Sequence, residues 1–431
     1  MDDIAINIKA PTIVELTITG KCNHKCLHCY NPWRTEVERE LSNKTLTREQ
    51  IDYIFEECKK NEVFHIVLSG GEPITEFETT MYALKKFSEG GFSVALNSNL
   101  SLLNYSHIEQ LKACSINFLL TSLPSSNKEI CTEIIQVNTF NKIVEGIELC
   151  IKNGINVGVN TVINKKNINT VFETAQYLAS LGINSFFASI AIPPYYDLEN
   201  SDYQLSDDDI KELGDILVRI TDVLKMKVST VTPLPLCVLK DVYYYRNITT
   251  KSCTGGITHC TISNNGDITA CSHEDRPYGN IFNEGLKESW KKMEIWRNGD
   301  NLNYNCASCD YLKICGGECR VLTKSLPDRK YDKQVVNADK IRIDNITVPE
   351  GEFSLNPTMR FRTEKFGGTV CIEGTKNVFL SHDGVVLLEL LMEMKQFNME
   401  SLDEYIEIDD VLLEALNNFI SNDIVIVNQF V

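Results

Sequence analysis

The chain has 431 residues, 43% hydrophobic and 23% charged, with sixteen cysteines and a formal net charge of −17 from 59 acidic and 42 basic side chains. That length accommodates two or three domains, and the composition is that of a globular protein rather than a disordered one. The acidic balance excludes a nucleic-acid binder, whose phosphate partner demands a basic surface, and no apolar run reaches the ~18 residues of a membrane span.

Met1-Asp2-Asp3 opens without the basic segment and apolar run of a secretory signal, so a cytoplasmic location is expected. In that reducing compartment cysteines hold metal or stay as thiols rather than pair as disulfides. Residues 12–19 read as a first strand, and Cys22, Cys26 and Cys29 follow at CxxxCxxC spacing, with Tyr30 next. Three thiolates on one short loop can hold three irons of a cubane cluster and leave the fourth iron open to a small molecule. The rival is a zinc knuckle completed by His24 or His28, but zinc sites usually come as paired CxxC units.

Further strand patterns lie at 63–68, 92–97, 116–122, 155–163 and 183–188, with helical patterns at 47–60, 75–88, 106–113, 139–153, 167–181 and 206–224. Asn61, Gly91, Gly154 and Gly182 stand just before strands, where helix C-caps belong. Strict alternation predicts parallel strands joined by right-handed crossovers, hence a partial barrel with its functional residues at the C-terminal strand ends. The cysteine loop, Gly70-Gly71-Glu72-Pro73, Asn97 to Asn99 and Ser122 all fall at such ends.

From about 226 the texture changes: prolines gather at 233 and 235, and seven cysteines appear. They are Cys253, Cys260 and Cys271, with a Gly266 turn between the last two, then Cys306-x2-Cys309-x5-Cys315-x3-Cys319. Structural zinc and core thiols are the plain alternatives to iron. The remaining cysteines, 58, 114, 131, 150, 237 and 371, lie singly in apolar patterns and read as small buried hydrophobes. Cys237 or Cys371 would be the hydrogen donor if the reaction were an epimerisation, and His259 and His273 read as loop residues. From about 345 three short strands are expected at 359–364, 369–372 and 377–380, then helices at 383–396 and 410–421, the second capped by Asp409 or Asp410. Residues 341–431 carry 16 acidic against 6 basic side chains, a net of −10 that would repel a duplex from a DNA-binding winged helix.

Cys22, Cys26, Cys29, Tyr30 and Gly70-Gly71-Glu72-Pro73 together resemble the radical S-adenosylmethionine (radical SAM) superfamily. The seven later cysteines resemble its SPASM auxiliary-cluster module, and the tail resembles a PqqD-like winged-helix element. The fold so implied is α/β: a partial (β/α)6 radical SAM barrel over 1–225, a cysteine-rich SPASM domain over 226–344, and a small winged-helix-like peptide-recognition domain over 345–431. The resemblance implies a [4Fe–4S] cluster on Cys22, Cys26 and Cys29 that binds SAM and cleaves it to a 5′-deoxyadenosyl radical. It places Gly70, Gly71 and Glu72 at the SAM methionine, with the carboxylate meeting the ammonium. Tyr30, Asn97, Asn99 and Ser122 join the cofactor site. Asn97-Ser98-Asn99 stands where Thr-Asn-Gly is common in the family, and Ser122 where Ser-x-Asp-Gly is common. The chain departs from that pattern at Leu123-Pro124, and Ile134-Ile135 replaces a common Arg-Gly, so the SAM carboxylate contact is left unassigned.

Two auxiliary iron–sulfur clusters, read as [4Fe–4S], are also implied. Cys253, Cys260, Cys271 and Cys319 hold one by this pattern; Cys306, Cys309 and Cys315 hold most of the other, its fourth position falling to Asp332, Asp339 or an open iron. The implied function is that of a peptide maturase that takes hydrogen from a ribosomally made precursor peptide and forms a thioether or other crosslink. Its leader is expected on the C-terminal domain, with electrons from a flavodoxin or ferredoxin and no role for nucleic acid or membrane. Auxiliary clusters offer an acceptor for the second electron, which favours crosslinking over redox-neutral epimerisation. The alternatives are a sulfatase-maturase-like oxidation of Cys or Ser and a non-catalytic iron–sulfur or zinc scaffold. Anaerobic sulfatase maturases place a catalytic aspartate directly after the cysteine corresponding to Cys271, where this chain has Ser272, followed by His273, Glu274 and Asp275.

Overall fold

The computed structural model describes residues 7–31, 43–192, 204–248, 252–302, 304–309, 311–325, 348–349, 351–374 and 376–428. Seven parallel strands run in chain order: β1 (Ile13–Thr19), β2 (His65–Gly70), β3 (Ser93–Asn97), β4 (Phe118–Ser122), β5 (Val157–Ile163), β6 (Ser185–Ile190) and β7 (Lys227–Thr230). Helices α1 (Arg48–Lys60), α2 (Phe77–Glu89), α3 (Tyr105–Ala113), α4 (Lys128–Ile135), α5 (Phe140–Lys152), α6 (Val171–Ser180) and α7 (Asp207–Arg219) lie between them. Helix starts are fixed by side-chain caps: Thr47 and Gln50 close a capping box on α1, Asn104 caps α3 and Asn127 caps α4.

The strands alternate in burial. On the helix side Val14, Leu16, Ile18, Ile66, Leu68, Val94, Leu96 and Leu119 are fully buried. On the opposite side Phe118, Leu120 and Ser122 of β4, and Ser185 and Phe187 of β6, are only half-buried. A closed barrel fills its interior with packed side chains; this sheet is open, and its inner face, the lumen side, keeps these side chains partly accessible.

The sheet does not stop at residue 225, where the sequence placed the end of the first unit. Besides β7 it gains β8 (His259–Ile262), parallel to β1, and then β9 (Asp267–Thr269) and β10 (Gly279–Asn280) in antiparallel order. The cysteine-rich region thus grows directly from the barrel's first edge. The turn between β8 and β9 falls at the C-terminal end of β1, while the loop after β9 meets the loop after β1 through His273, whose ring lies 4.4 Å from that of Tyr30.

The C-terminal part has its own core around Val370, Leu388, Leu391, Leu416 and Phe419. Strands β12 (Arg360–Glu364), β13 (Gly367–Ile372) and β14 (Lys376–Leu380) form the expected antiparallel sheet. A second sheet of β11 (Glu352–Leu355), β15 (Gln396–Phe397) and β16 (Val425–Asn428) was not anticipated. Helices His382–Met394 and Asp410–Ser421 stand where the pattern put them, the latter capped by Asp409. This part packs against the N-terminal ends of β1, β2 and β3. Arg362, fully buried, donates to the carbonyls of Ala10 (2.7 Å), Asn61 (3.1 Å) and Glu62 (2.9 Å) and pairs with Glu364 at 2.7 Å.

Candidate functional site

The C-terminal ends of β1 to β4 gather the residues singled out by the sequence. Cys22, Cys26 and Cys29 lie half-buried on the loop after β1, and none of the sixteen cysteines is in a disulfide. The backbone N–H of His24 donates to the Cys22 sulfur at 3.4 Å, and Cys29 N–H donates to the Cys26 carbonyl at 3.2 Å. A network behind the loop holds it. Asn99 Nδ2 donates to Asn23 Oδ1 (2.9 Å), Asn23 Nδ2 donates to Ser101 Oγ (2.8 Å), and His24 Nε2 meets the hydroxyls of Ser101 (3.2 Å) and Thr139 (2.9 Å). His24 is therefore a buried structural residue, not the fourth ligand that a zinc knuckle would require.

Gly70 and Gly71 are dictated by backbone crowding. A Cβ on Gly71 would lie 2.2 Å from the Lys21 carbonyl and 2.6 Å from that of Gly20; one on Gly70 would lie 2.6 Å from the Thr19 carbonyl. Only glycine lets the loop after β2 press against the cysteine loop. Glu72 joins two of the loops. It is 1% exposed, its Oε1 accepts from Ile74 N–H (3.0 Å) and Ser98 Oγ (2.7 Å), and its Oε2 accepts from Asn99 N–H (2.6 Å). These bonds tie the loops after β2 and β3 together. Asn99 is likewise bonded to Asn23 and Ser101. Asn97 and Ser122 remain half-buried on the lumen side of their strand ends.

The ring of Tyr30 packs on His273 at 4.4 Å, and its phenol has Ser69 and Ser272 for neighbours. Burial, with Glu15 and Cys29 nearby, pushes the phenol well above its ordinary range. Glu15 itself was not anticipated. It sits mid-strand in β1, neighbours the same two serines, and faces His259 Nε2 at 3.7 Å. Its only sequence signal is a charged residue inside an otherwise apolar strand.

The later cysteines divide into two groups. Burial, then Cys253 and Cys319, raise the Cys271 thiol, while burial and Cys253 push Cys319 up to about 12. Burial, then Cys315, Glu318 and Cys309, push Cys306 up to about 12. Thiols that oppose one another's ionisation release their protons together only when a cation sits among them. The sulfur of Cys271 accepts the His273 N–H, and that of Cys319 accepts the N–H groups of Val321 and Leu322. The buried guanidinium of Arg320 lies within electrostatic reach of both Cys253 and Cys306. Backbone donors on sulfur and a buried cation nearby suit the negative charge of an iron–sulfur centre, so both groups fit one. Among the described residues no three His, Cys, Asp or Glu side chains close on a single-ion site.

Cys260 does not join the first group. It is fully buried in β8, in register with Val14 of β1, and its electrostatic neighbour is Cys58 of α1. Strand alternation explains this: His259 and Thr261 share Glu15's side of the sheet, so Cys260 points to the helix layer. Asp332 and Asp339 lie outside the described residues. Cys371 is fully buried in β13 of the C-terminal sheet, away from the strand ends that carry the site, which removes it as a hydrogen donor.

Comparisons with known proteins agree with this reading. The radical SAM superfamily pattern matches residues 16–178, and that of an iron–sulfur cluster-binding domain, SPASM, matches 253–310. Among curated proteins, the AdoMet-dependent heme synthase of Methanosarcina barkeri is 24% identical over 72% of this chain and 91% of its own. The mycofactocin maturase MftC of Mycolicibacterium smegmatis is 23% identical over 72% of this chain and 79% of its own. Among solved structures, Streptococcus suis SuiB bound to precursor peptide SuiA superposes with a TM-score of 0.60 at 18% identity, covering 77% of this chain and 76% of that one. The chain carries a radical SAM domain followed by a SPASM domain, and it is an enzyme. Its cofactors are [4Fe–4S] clusters and S-adenosylmethionine. Among the described residues no helix is long and apolar enough to cross a membrane.

Proposed function

We propose that this enzyme modifies a ribosomally made precursor peptide, taking a hydrogen atom from a peptide carbon and forming a thioether or other crosslink. Cys22, Cys26 and Cys29 would hold the cluster that cleaves SAM, with Gly70 and Gly71 shaping the approach of the SAM methionine and Asn97 and Ser122 facing the lumen beside it. Cys253, Cys271 and Cys319 would hold one auxiliary centre, and Cys306, Cys309 and Cys315 the other. When bound, the first centre would supply a radical that abstracts hydrogen from carbon, and the auxiliary centres would accept an electron. The protein's share is to position the target carbon and exclude water.

The observation that carries the peptide reading is the docked C-terminal unit. β14 is an edge strand whose first four residues are half-buried, an arrangement onto which a leader can add as a further strand. SuiB, a fold neighbour, was solved with its precursor peptide. The electron donor would be a flavodoxin or ferredoxin in the cytoplasm. A second reading, oxidation of a tetrapyrrole side chain, draws on the heme synthase relatives. Those relatives leave more than a quarter of this chain unmatched. The test is to incubate the reconstituted enzyme, SAM and dithionite with candidate precursor peptides taken from short open reading frames neighbouring its gene. Loss of two hydrogens with 5′-deoxyadenosine formation supports the proposal. Only D-amino acids, or turnover of an iron-coproporphyrin instead, overturns it.

A further inference from the structure

The inner face of the sheet changes character along its length. On the reading above the SAM methionine belongs to the loops after β1 and β2, and β5 and β6 stand three and four strands beyond β2. Pairing register sets Leu120 of β4 beside Gly158 of β5, and Asn160 of β5 beside Phe187 of β6. These residues all lie on the inner face. Gly158 lets rings from two non-adjacent strands meet over it. A Cβ there would lie 2.4 Å from Phe118 Cζ and 2.5 Å from Phe187 Cε2, and the two rings pack edge to face with centroids 5.7 Å apart. Both rings stay half-buried, which leaves them surface to offer an occupant. Further along β6 the Ser189 hydroxyl donates to Asn160 Oδ1 at 3.0 Å. That bond orients the carboxamide and leaves its Nδ2 to donate. β4, β5 and β6 contain no charged residue. Apolar surface with one oriented polar group is how proteins hold an apolar group and fix its direction.

We propose that this wall receives the peptide residue from which hydrogen is taken, and that this residue carries an uncharged, apolar side chain. The assignment rests on the function proposed above and names the substrate class of the same site. The target side chain lies on the Phe118–Phe187 pair, and Asn160 Nδ2 donates to the backbone carbonyl of the same residue. Two such contacts fix the direction of the carbon–hydrogen bonds between them, which is what a radical abstraction at one carbon requires. A charged side chain on this wall would give up its water and find no counter-charge on three strands, a cost that excludes Asp, Glu, Lys and Arg as targets. Ser189 is a positioning residue, because it acts through Asn160.

The test gives the wild-type holoenzyme SAM, dithionite and candidate precursor peptides from short open reading frames neighbouring its gene, and locates the modified residue by tandem mass spectrometry. That residue is expected to be aliphatic or aromatic. Replacing it in the peptide by Asp or Lys should lower kcat/KM by about a hundredfold or more. An apolar residue of similar volume should cost less than about tenfold. In the enzyme, Asn160→Leu removes the donor and should lower kcat/KM for the peptide roughly tenfold. Ser189→Ala should raise the peptide KM by less. Neither variant should move the KM for SAM in peptide-free formation of 5′-deoxyadenosine. A charged target, or an Asp-bearing peptide modified at the original rate, overturns the proposal. Variants that raise the KM for SAM and leave the peptide kinetics alone assign the wall to the adenosine of the cofactor and overturn it as well. If Asn160→Leu does not fold, the peptide substitutions decide alone, since they are made against the wild-type enzyme. A wild type that forms 5′-deoxyadenosine yet modifies none of the peptides overturns the function proposed above, and this assignment with it.

Discussion

Replacing Arg362 by Met should loosen the C-terminal domain from the barrel. The guanidinium is fully buried and makes four polar contacts: the Glu364 carboxylate at 2.7 Å and the carbonyls of Ala10, Asn61 and Glu62. Methionine fills much of the same volume but leaves Glu364 as a buried carboxylate whose remaining donor is the Lys9 N–H at 2.8 Å. Removing one partner of a buried ion pair costs about 3–5 kcal/mol. At 1.4 kcal/mol per factor of ten, local opening should become roughly two to three and a half orders of magnitude more frequent. Hydrogen exchange read by mass spectrometry on β12 and on residues 8–12 measures that opening directly. The Arg362→Met, Glu364→Leu double variant should recover much of the loss, because an apolar pair of similar volume replaces a buried ion pair at little cost. Unaltered exchange in the single variant, or a double variant as loose as the single one, would refute this account of that packing.

Three further outcomes follow from the site. Gly71→Ala should displace the cysteine loop, since its methyl meets the backbone carbonyls of Gly20 and Lys21, which cannot yield; iron per chain and 5′-deoxyadenosine formation should both fall at least tenfold. Cys260→Ala should leave the iron content unchanged and cost about 1 kcal/mol in urea unfolding, whereas Cys253→Ala should lose the iron of one centre. Burial lowers His65 to about 4, against an unfolded value near 6.5, so the unfolded chain binds the extra proton between those values. Stability is then complete above about pH 6.5 and declines toward pH 4 by about 3 kcal/mol from this residue; His65→Gln should flatten that part of the urea-midpoint profile.

Much of the architecture was legible because parallel α/β units advertise themselves. Six apolar runs bounded by Asn61, Gly91, Gly154 and Gly182 became six strands, and the cysteine loop followed the first of them. What escaped was set by tertiary register. β7 is a four-residue strand and β8 to β10 are shorter still or equal, too short to show a period. The family resemblance placed Cys260 in a cluster, but strand alternation turns it to the helix layer beside Cys58. The hydrogen bonds by which Glu72 and Asn99 tie neighbouring loops together carry no sequence signal of their own. Glu15 was invisible because a lone charge in a strand carries no motif. Only the register of β1 with β2 and β8 brings Ser69, His259 and the loop after Cys271 to its carboxylate.

The central claim is that the three cysteines after β1 hold an iron centre that cleaves SAM. Its most direct test compares anaerobically reconstituted wild type with a variant carrying alanine at Cys22, Cys26 and Cys29, given SAM and dithionite. The wild type should release methionine and 5′-deoxyadenosine, and the variant should release neither while keeping the iron of its auxiliary centres, about eight of about twelve atoms. A variant that still forms 5′-deoxyadenosine at the wild-type rate, or a fully loaded wild type that forms none, would contradict the account.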